Sequence, residues 1–194
     1  VLDFVSIDFE GTHKDPRRGY PHEMGVAVFR GGLLIESRSW DIALPVNAAG
    51  KIFREVDAVA LSVSGKSYDR LIETGQDSLF VLSELEYFLQ RNDAVGLPNL
   101  AFNHGYDMEC YRQMLFECSS WHPSLVGKRI NHCEILGSAW FDLMVYYRMR
   151  FPVASHDFNS CLSRCGLSRL KSVHAAEEDA ILNGRCYLEL LLHG

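Results

Sequence analysis

The chain switches between short apolar runs that break at polar residues or glycine and longer stretches with an apolar residue at every third or fourth position. The first run, Phe4-Val5-Ser6-Ile7-Asp8-Phe9-Glu10-Gly11-Thr12, predicts a buried strand over residues 3–7 that ends in two carboxylates and then breaks at a glycine. Residues 23–29 predict a second strand and Gly31-Gly32 a hairpin turn. A third strand is predicted over 33–44, with alternation through Ile35, Trp40 and Ile42. The period then changes. Residues 45–65 carry apolar contacts without a clean period and predict no element, and 68–72 predict a short helix. Residues 78–90 predict a longer helix with Leu79, Leu82, Leu85, Phe88 and Leu89 on one face and Ser78 as its cap. A short strand over 100–103 leads into a helix over 106–117. Residues 119–138 read as an irregular insertion. Residues 140–142 predict a strand entering a helix that Pro152 stops. A helix over 157–165 is closed by Gly166, and a last one covers 175–192. An antiparallel hairpin followed by strand–helix crossovers predicts an α/β domain with a mixed central sheet flanked by helices.

At 194 residues the expectation is one domain over 1–194 with a substantial core. The chain opens at Val1 rather than Met, so whether it is a piece of a longer protein stays open, and absent targeting signals carry little weight. No apolar run is long enough to span a bilayer and the start lacks a signal core, so neither membrane insertion nor secretion is expected. The six cysteines are scattered, most of them in segments read as helical, which predicts free thiols in a reducing, intracellular compartment, cytoplasm or nucleus. Cys161-x-x-x-Cys165 followed by His174 is not a standard zinc spacing. The net charge of −6 argues against a protein that coats DNA regardless of sequence. It is compatible with an enzyme that grips a few nucleotides, because metal-binding carboxylates contribute to the deficit.

Asp8 and Glu10 leave the first strand on one face while Phe9 points to the other. Two close carboxylates repel, and divalent ions are the simplest way to hold both ionised. A second Asp-x-Glu, Asp107-Met108-Glu109, shows that the pair has weight only with partners. Asp107 opens the helix after the 100–103 strand. Asp179 lies in the first turns of the last helix, with His174 just before it. Carboxylates at a strand end, a helix start and a helix flank can meet at one edge of a sheet, where α/β folds place their sites. Four hard oxygen donors suit Mg²⁺ or Mn²⁺, and two such ions about 4 Å apart form the clamp used for in-line phosphoryl transfer. Taken singly, each residue has a plainer role. Asp107 favours the positive end of its helix, Asp179 is a solvated acid beside Glu177 and Glu178, and His174 is a surface or capping histidine.

Together, Ile7-Asp8-Phe9-Glu10, Asn103-His104-Gly105-Tyr106-Asp107 and His174-Ala175-Ala176-Glu177-Glu178-Asp179 resemble the three motifs of the DEDDh exonucleases. These form the DnaQ-like branch of the RNase H-like superfamily, and the resemblance runs over residues 3–192. It implies a 3′→5′ exonuclease on single-stranded RNA or DNA that releases nucleoside 5′-monophosphates. Asp8, Glu10, Asp107 and Asp179 would hold two Mg²⁺ or Mn²⁺ ions, and His174 would be the general base. Phe9, Gly11 and Thr12 would face the terminal sugar, with Asn103, His104 and Tyr106 also at the 3′ end. Tyr106 either stacks on the last base or packs in the core. The chain departs from the family in two places: Asn103-His104 reverses the common His-Asn order, and Gly11 intervenes before Thr12. Glu23 resembles a family position on the second strand and reads as structural. Lys14, Arg17, Arg18, Arg164, Arg169 and Lys171 flank the motifs, as a phosphate track or as a solvated rim. One alternative is a catalytically weak or inactive module of the same fold that binds nucleic acid or protein. Another is a phosphodiesterase for short oligonucleotides. A protein partner or a homodimer stays open.

Overall fold

Five strands form one sheet in the order β3-β2-β1-β4-β5. The chain's structure, a computed structural model, describes residues 2–46, 54–121, 135–152, 154–170 and 174–192. β1 (Phe4–Gly11), β2 (Pro21–Arg30) and β3 (Leu33–Asp41) are antiparallel neighbours, and β4 (Asn99–Ala101) and β5 (Trp140–Asp142) add in parallel on the other side of β1. This is the predicted mixed sheet. The first strand runs four residues further than the apolar run suggested, because β2 pairs with Asp8, Phe9 and Glu10 as well. The third is shorter than expected, and Ile42 makes an isolated bridge to Gln76 instead.

Alternation along β1 sorts its side chains between two cores. Val5, Ile7 and Phe9 pack with Leu82, Leu85 and Phe88 of α3 (Ser78–Arg91) and with Cys110 and Met114 of α4 (His104–Trp121). Phe4 packs on the opposite face with Leu143 and Tyr147 of α5 (Leu143–Arg150), Cys161 and Leu162 of α6 (Phe158–Arg164), and Ala180 and Cys186 of α7 (Ala176–Leu192). Asp8 and Glu10 therefore face α7. The contact between α7 and the sheet is close because it is made of small residues. A methyl group at Gly25 of β2 would overlap the Ala176 backbone, and one at Gly184 would overlap the Phe29 ring.

The helix starts follow local chemistry. Asp77, not Ser78, caps α3, its carboxylate accepting from the Leu79 N–H at 2.8 Å; the Ser78 hydroxyl is bonded to the Tyr20 hydroxyl at 2.6 Å. Asp142 and Asp157 cap α5 and α6. The chain leaves β4 through Asn103, which sits at φ +65°, so α4 begins at His104 rather than at 106. The 45–65 stretch contains α1 (Ala58–Val63), capped by Asp57, and α2 (Tyr68–Thr74) follows it. Most of the irregular stretch over 119–138 lies outside the described residues, as does Lys171. Its far end, Ile135 and Leu136, is buried in the first core. No helix among the described residues is long and apolar enough to cross a membrane.

Candidate active site

The end of β1 carries Asp8 and Glu10 to the edge of the sheet, directly opposite Gly25 and Glu23 of β2. Because nothing projects from Gly25, the first turn of α7 lies against it, which delivers Asp179 to the same edge. Asp107, in the first turn of α4, reaches in from the far side, and its Oδ1 accepts the Phe9 N–H at 2.9 Å. His174 comes last. Its backbone N–H donates to the Val63 carbonyl at 2.9 Å, and its Nδ1 lies 3.5 Å from Glu10 Oε1 and 3.9 Å from Asp179 Oδ2. The irregular stretch that predicted no element thus supplies, through α1, the anchor for the histidine.

The electrostatics of this group are those of an underneutralised cluster. Burial, then the charges of Asp179, Asp107 and Glu10, push Asp8 well above the ordinary carboxylate range, with Arg169 acting in the opposite sense. Burial also raises Asp107, against the N–H groups of Phe9 and its own backbone, and Glu10 and Asp142 add to the rise. Arg169 is the cation that the described residues set against them. Its Nε and Nη2 each lie 2.7 Å from a different Asp179 oxygen, and Nη1 bonds Asn159. Such a group fits hard divalent cations. Glu10, His174 and Asp179 each offer a ligand atom within 4.8 Å of the others, and the repulsion on Asp8 is what added positive charge relieves.

The six residues assigned to substrate fall into two sets. Phe9 and Thr12 are buried; Thr12 donates to the Glu55 carbonyl at 2.7 Å and accepts the Tyr20 N–H at 2.9 Å, tying the loop after β1 to the segment before α1. Gly11 is buried where a side chain would overlap the Tyr106 hydroxyl. Tyr106 packs on the first core and donates to the His13 carbonyl at 3.2 Å. Asn103, His104 and Gly105 form the open rim. Asn103, Gly105 and Tyr106 line a cavity of about 300 Å³ with Lys14 and Arg17. A larger cavity of about 610 Å³ is lined by Asn159, Leu162, Gly166, Arg169 and His174.

One group at the site escaped the sequence reading, and two that it named, Arg169 and Glu23, have partners that it did not single out. Asp142, at the end of β5, accepts from His104 Nδ1 at 2.8 Å and from the Asn103 N–H at 3.3 Å, so it holds the second motif in place. Its signal was the same as that of Asp8, a carboxylate ending a strand. Arg169 was one of six basic residues with no mark to separate it. Of the other described basic residues, Lys14 and Arg17 line the cavity at Asn103, Arg17 also pairing with Asp15, while Arg18 pairs with Glu55 and Arg164 stacks on Phe151. Glu23 carries a buried carboxyl pushed up to about 7 by burial, with Lys66 Nζ 3.6 Å away.

No protein-family model matches the chain, and no curated protein matches it by sequence. Solved structures do match in fold. The nuclease domain of 3′hExo, a DEDDh family member bound to rAMP, superposes with a TM-score of 0.73 at 15% identity, covering 100% of this chain and 93% of that one. A 3′-exonuclease recognising the histone mRNA stem-loop gives 0.72 at 14%, covering 100% and 83%. E. coli Exonuclease I with a dT13 oligonucleotide gives 0.68 at 13%, covering 99% of this chain and 41% of that one. At these identities the likeness is one of architecture: the chain has the RNase H-like fold of the DEDDh exonuclease domains.

Proposed function

We propose that this chain is a divalent-metal-dependent 3′→5′ exonuclease acting on single-stranded RNA or DNA. The observation that carries the reading is the convergence of Asp8, Glu10, Asp107, Asp179 and His174 at one sheet edge, where burial and mutual repulsion disfavour the ionised form of Asp8. Asp8, Glu10, Asp107 and Asp179 would hold two Mg²⁺ or Mn²⁺ ions, which would supply the positive charge that phosphodiester cleavage needs. His174, its Nδ1 edge turned to Glu10 and Asp179, takes the proton of the attacking water on its other nitrogen. The open rim at Asn103 and His104, steadied by Asp142, seats the 3′ end. Proteins of this fold have been solved with rAMP, an mRNA stem-loop and a DNA oligonucleotide, which supports a nucleic-acid 3′ end as substrate without choosing the sugar.

One observation favours a second reading, a binding module without turnover: Arg169 already occupies both oxygens of Asp179. A ladder assay with 5′-labelled RNA and DNA in Mg²⁺, Mn²⁺ or EDTA separates the two. Stepwise shortening from the 3′ end that EDTA abolishes supports the exonuclease. Retention of the labelled strand without cleavage, in the wild type and in Arg169→Ala alike, supports the module. Hydrolysis confined to dinucleotides or trinucleotides moves the substrate to short oligonucleotides.

A further inference from the structure

The second core holds a group of side chains that the carboxylate site does not use. Cys161 of α6, Cys165 at the C-cap of α6 and Cys186 of α7 bring their three sulfur atoms within 4.8 Å of one another. From these positions we infer a thiolate site for a single zinc-class ion, clasping α6 to α7. A tetrahedral zinc with Zn–S bonds of about 2.3 Å needs sulfurs about 3.8 Å apart, so adjustments of less than an ångström per side chain complete the set. The site is separate from the carboxylate group, and the inference does not rest on the exonuclease reading.

The local fold holds these sulfurs before any ion arrives. The Cys165 N–H donates to the Cys161 carbonyl at 3.1 Å, a regular helical bond that keeps Cys165 on the last turn of α6. Gly166, at φ +68°, then reverses the chain, and the Leu167 N–H returns to the Leu162 carbonyl at 2.9 Å. Cys161 and Cys186 are fully buried, and the Cys165 thiol points at the Cys186 carbonyl at 3.9 Å. A site whose donors sit on packed helices is held more firmly than one on loops.

Access and charge also suit an ion. Cys165 is the half-exposed member of the three and lines a cavity of about 340 Å³ with Arg150, Phe151, Arg164 and Glu189. That cavity gives an entry path and room for water as the fourth ligand. A divalent ion with three thiolates carries a net charge of −1, and the cavity wall carries Arg150 and Arg164 against Glu189, a net positive charge of one. His174, which follows the cysteine pair in sequence, is not a member; it belongs to the other group. The third thiol comes from 21 residues along the chain from Cys165, which is why the spacing within 161–174 does not betray the set. The plain alternative is that the three cysteines are small apolar core residues.

Cobalt distinguishes the two, because cobalt–thiolate bonds produce an intense near-ultraviolet charge-transfer band that carboxylate ligation does not. Reduced protein, stripped of metal with a chelator and kept under argon, is titrated with Co²⁺. One equivalent should saturate the band, and Zn²⁺ should bleach it. Cys165→Ala, at the half-exposed position, and Cys186→Ala should lose the band while circular dichroism shows them folded. Asp179→Asn should keep it. Zinc affinity should fall in Cys165→Ala by more than the roughly ten- to hundredfold typical of losing an outer contact. In the Asp179→Asn background, zinc should raise the thermal midpoint, and adding Cys165→Ala should abolish that rise. Absence of the band, its survival in folded Cys165→Ala, or its loss in Asp179→Asn overturns the inference. So does a reduced protein that forms a Cys161–Cys186 disulfide in air and takes up no cobalt beforehand.

Discussion

The two faces of the sheet are built from the same strands yet obey different rules. Along β1, the face under α3 and α4 receives Val5, Ile7 and Phe9, all apolar and all buried. The face under α7 receives Phe4, Ser6, Asp8 and Glu10, and α7 answers with Asp179, Asn183 and Cys186 along one stripe. The first face is closed by shape and water exclusion. The second is closed by small residues at Gly25, Ala176, Ala180 and Gly184, which let a helix bearing polar groups approach the backbone. Both faces bury an apolar core, but the carboxylates lie on the α7 face alone.

The sharpest way to break that division is to neutralise a carboxylate. Asp8→Asn or Asp179→Asn is expected to cut 3′-end cleavage by about a hundred- to a thousandfold, the scale of losing one preorganised electrostatic partner. In EDTA, Asp8→Asn should melt at or above the wild-type temperature, because the variant loses a carboxyl whose charge is opposed by burial and by three neighbours. Near-normal cleavage by either well-folded variant would remove it from the metal set. Phe88→Ala, on the other face, is expected to cost about 3–5 kcal/mol in a denaturant titration, with the cleavage rate unchanged for the fraction that stays folded. A specific loss of activity there would show that the faces are coupled.

His22 and Glu23 are adjacent on β2 and point to opposite faces, with opposite consequences for pH. Burial lowers His22 from 6.5 to about 4, so the unfolded chain binds a proton that the native chain refuses. Stability from this group is therefore complete above about 6.5 and is lost as pH falls towards 4, by about 3 kcal/mol at most. Glu23 runs the other way. Its carboxyl, raised from 4.5 to about 7, retains a proton that the unfolded chain releases, so its contribution declines as pH rises through about 7. Denaturant midpoints between pH 4 and 7 should show a weak net slope in the wild type and a clear fall with acid in Glu23→Gln. The smallest effect concerns Asn183, fully buried with neither its amide oxygen nor its nitrogen hydrogen-bonded among the described residues. Asn183→Leu should stabilise by roughly 1 kcal/mol, since it removes a desolvated polar group. A loss of stability would mean that the amide is satisfied in solution.

Legibility followed the same division. The α3 face could be read directly: Leu82, Leu85, Phe88 and Leu89 repeat with the helical period and are buried. The motif residues Asp8, Glu10, Asp107 and Asp179 could be named because strand ends and helix starts are local features. The support around them could not. α1 buries only Leu61, so six residues held by an Asp57 cap leave no periodic trace. Asp142 gains its partner from a residue 38 positions earlier, and Arg169 reaches Asp179 through a loop turn that no spacing encodes. Tyr106 was open between base stacking and core; its hydroxyl closes on His13 and covers Gly11, contacts set by tertiary packing.

The guanidinium on Asp179 has a bearing on how such a protein matures. Buried acids need a counter-charge from the moment the helix docks, and Arg169 provides one from within the chain. On the proposed reading, the polypeptide can reach its final shape without magnesium, and arriving ions would evict a tenant rather than complete a scaffold. Divalent-ion supply would then switch the molecule on without altering how much of it is present.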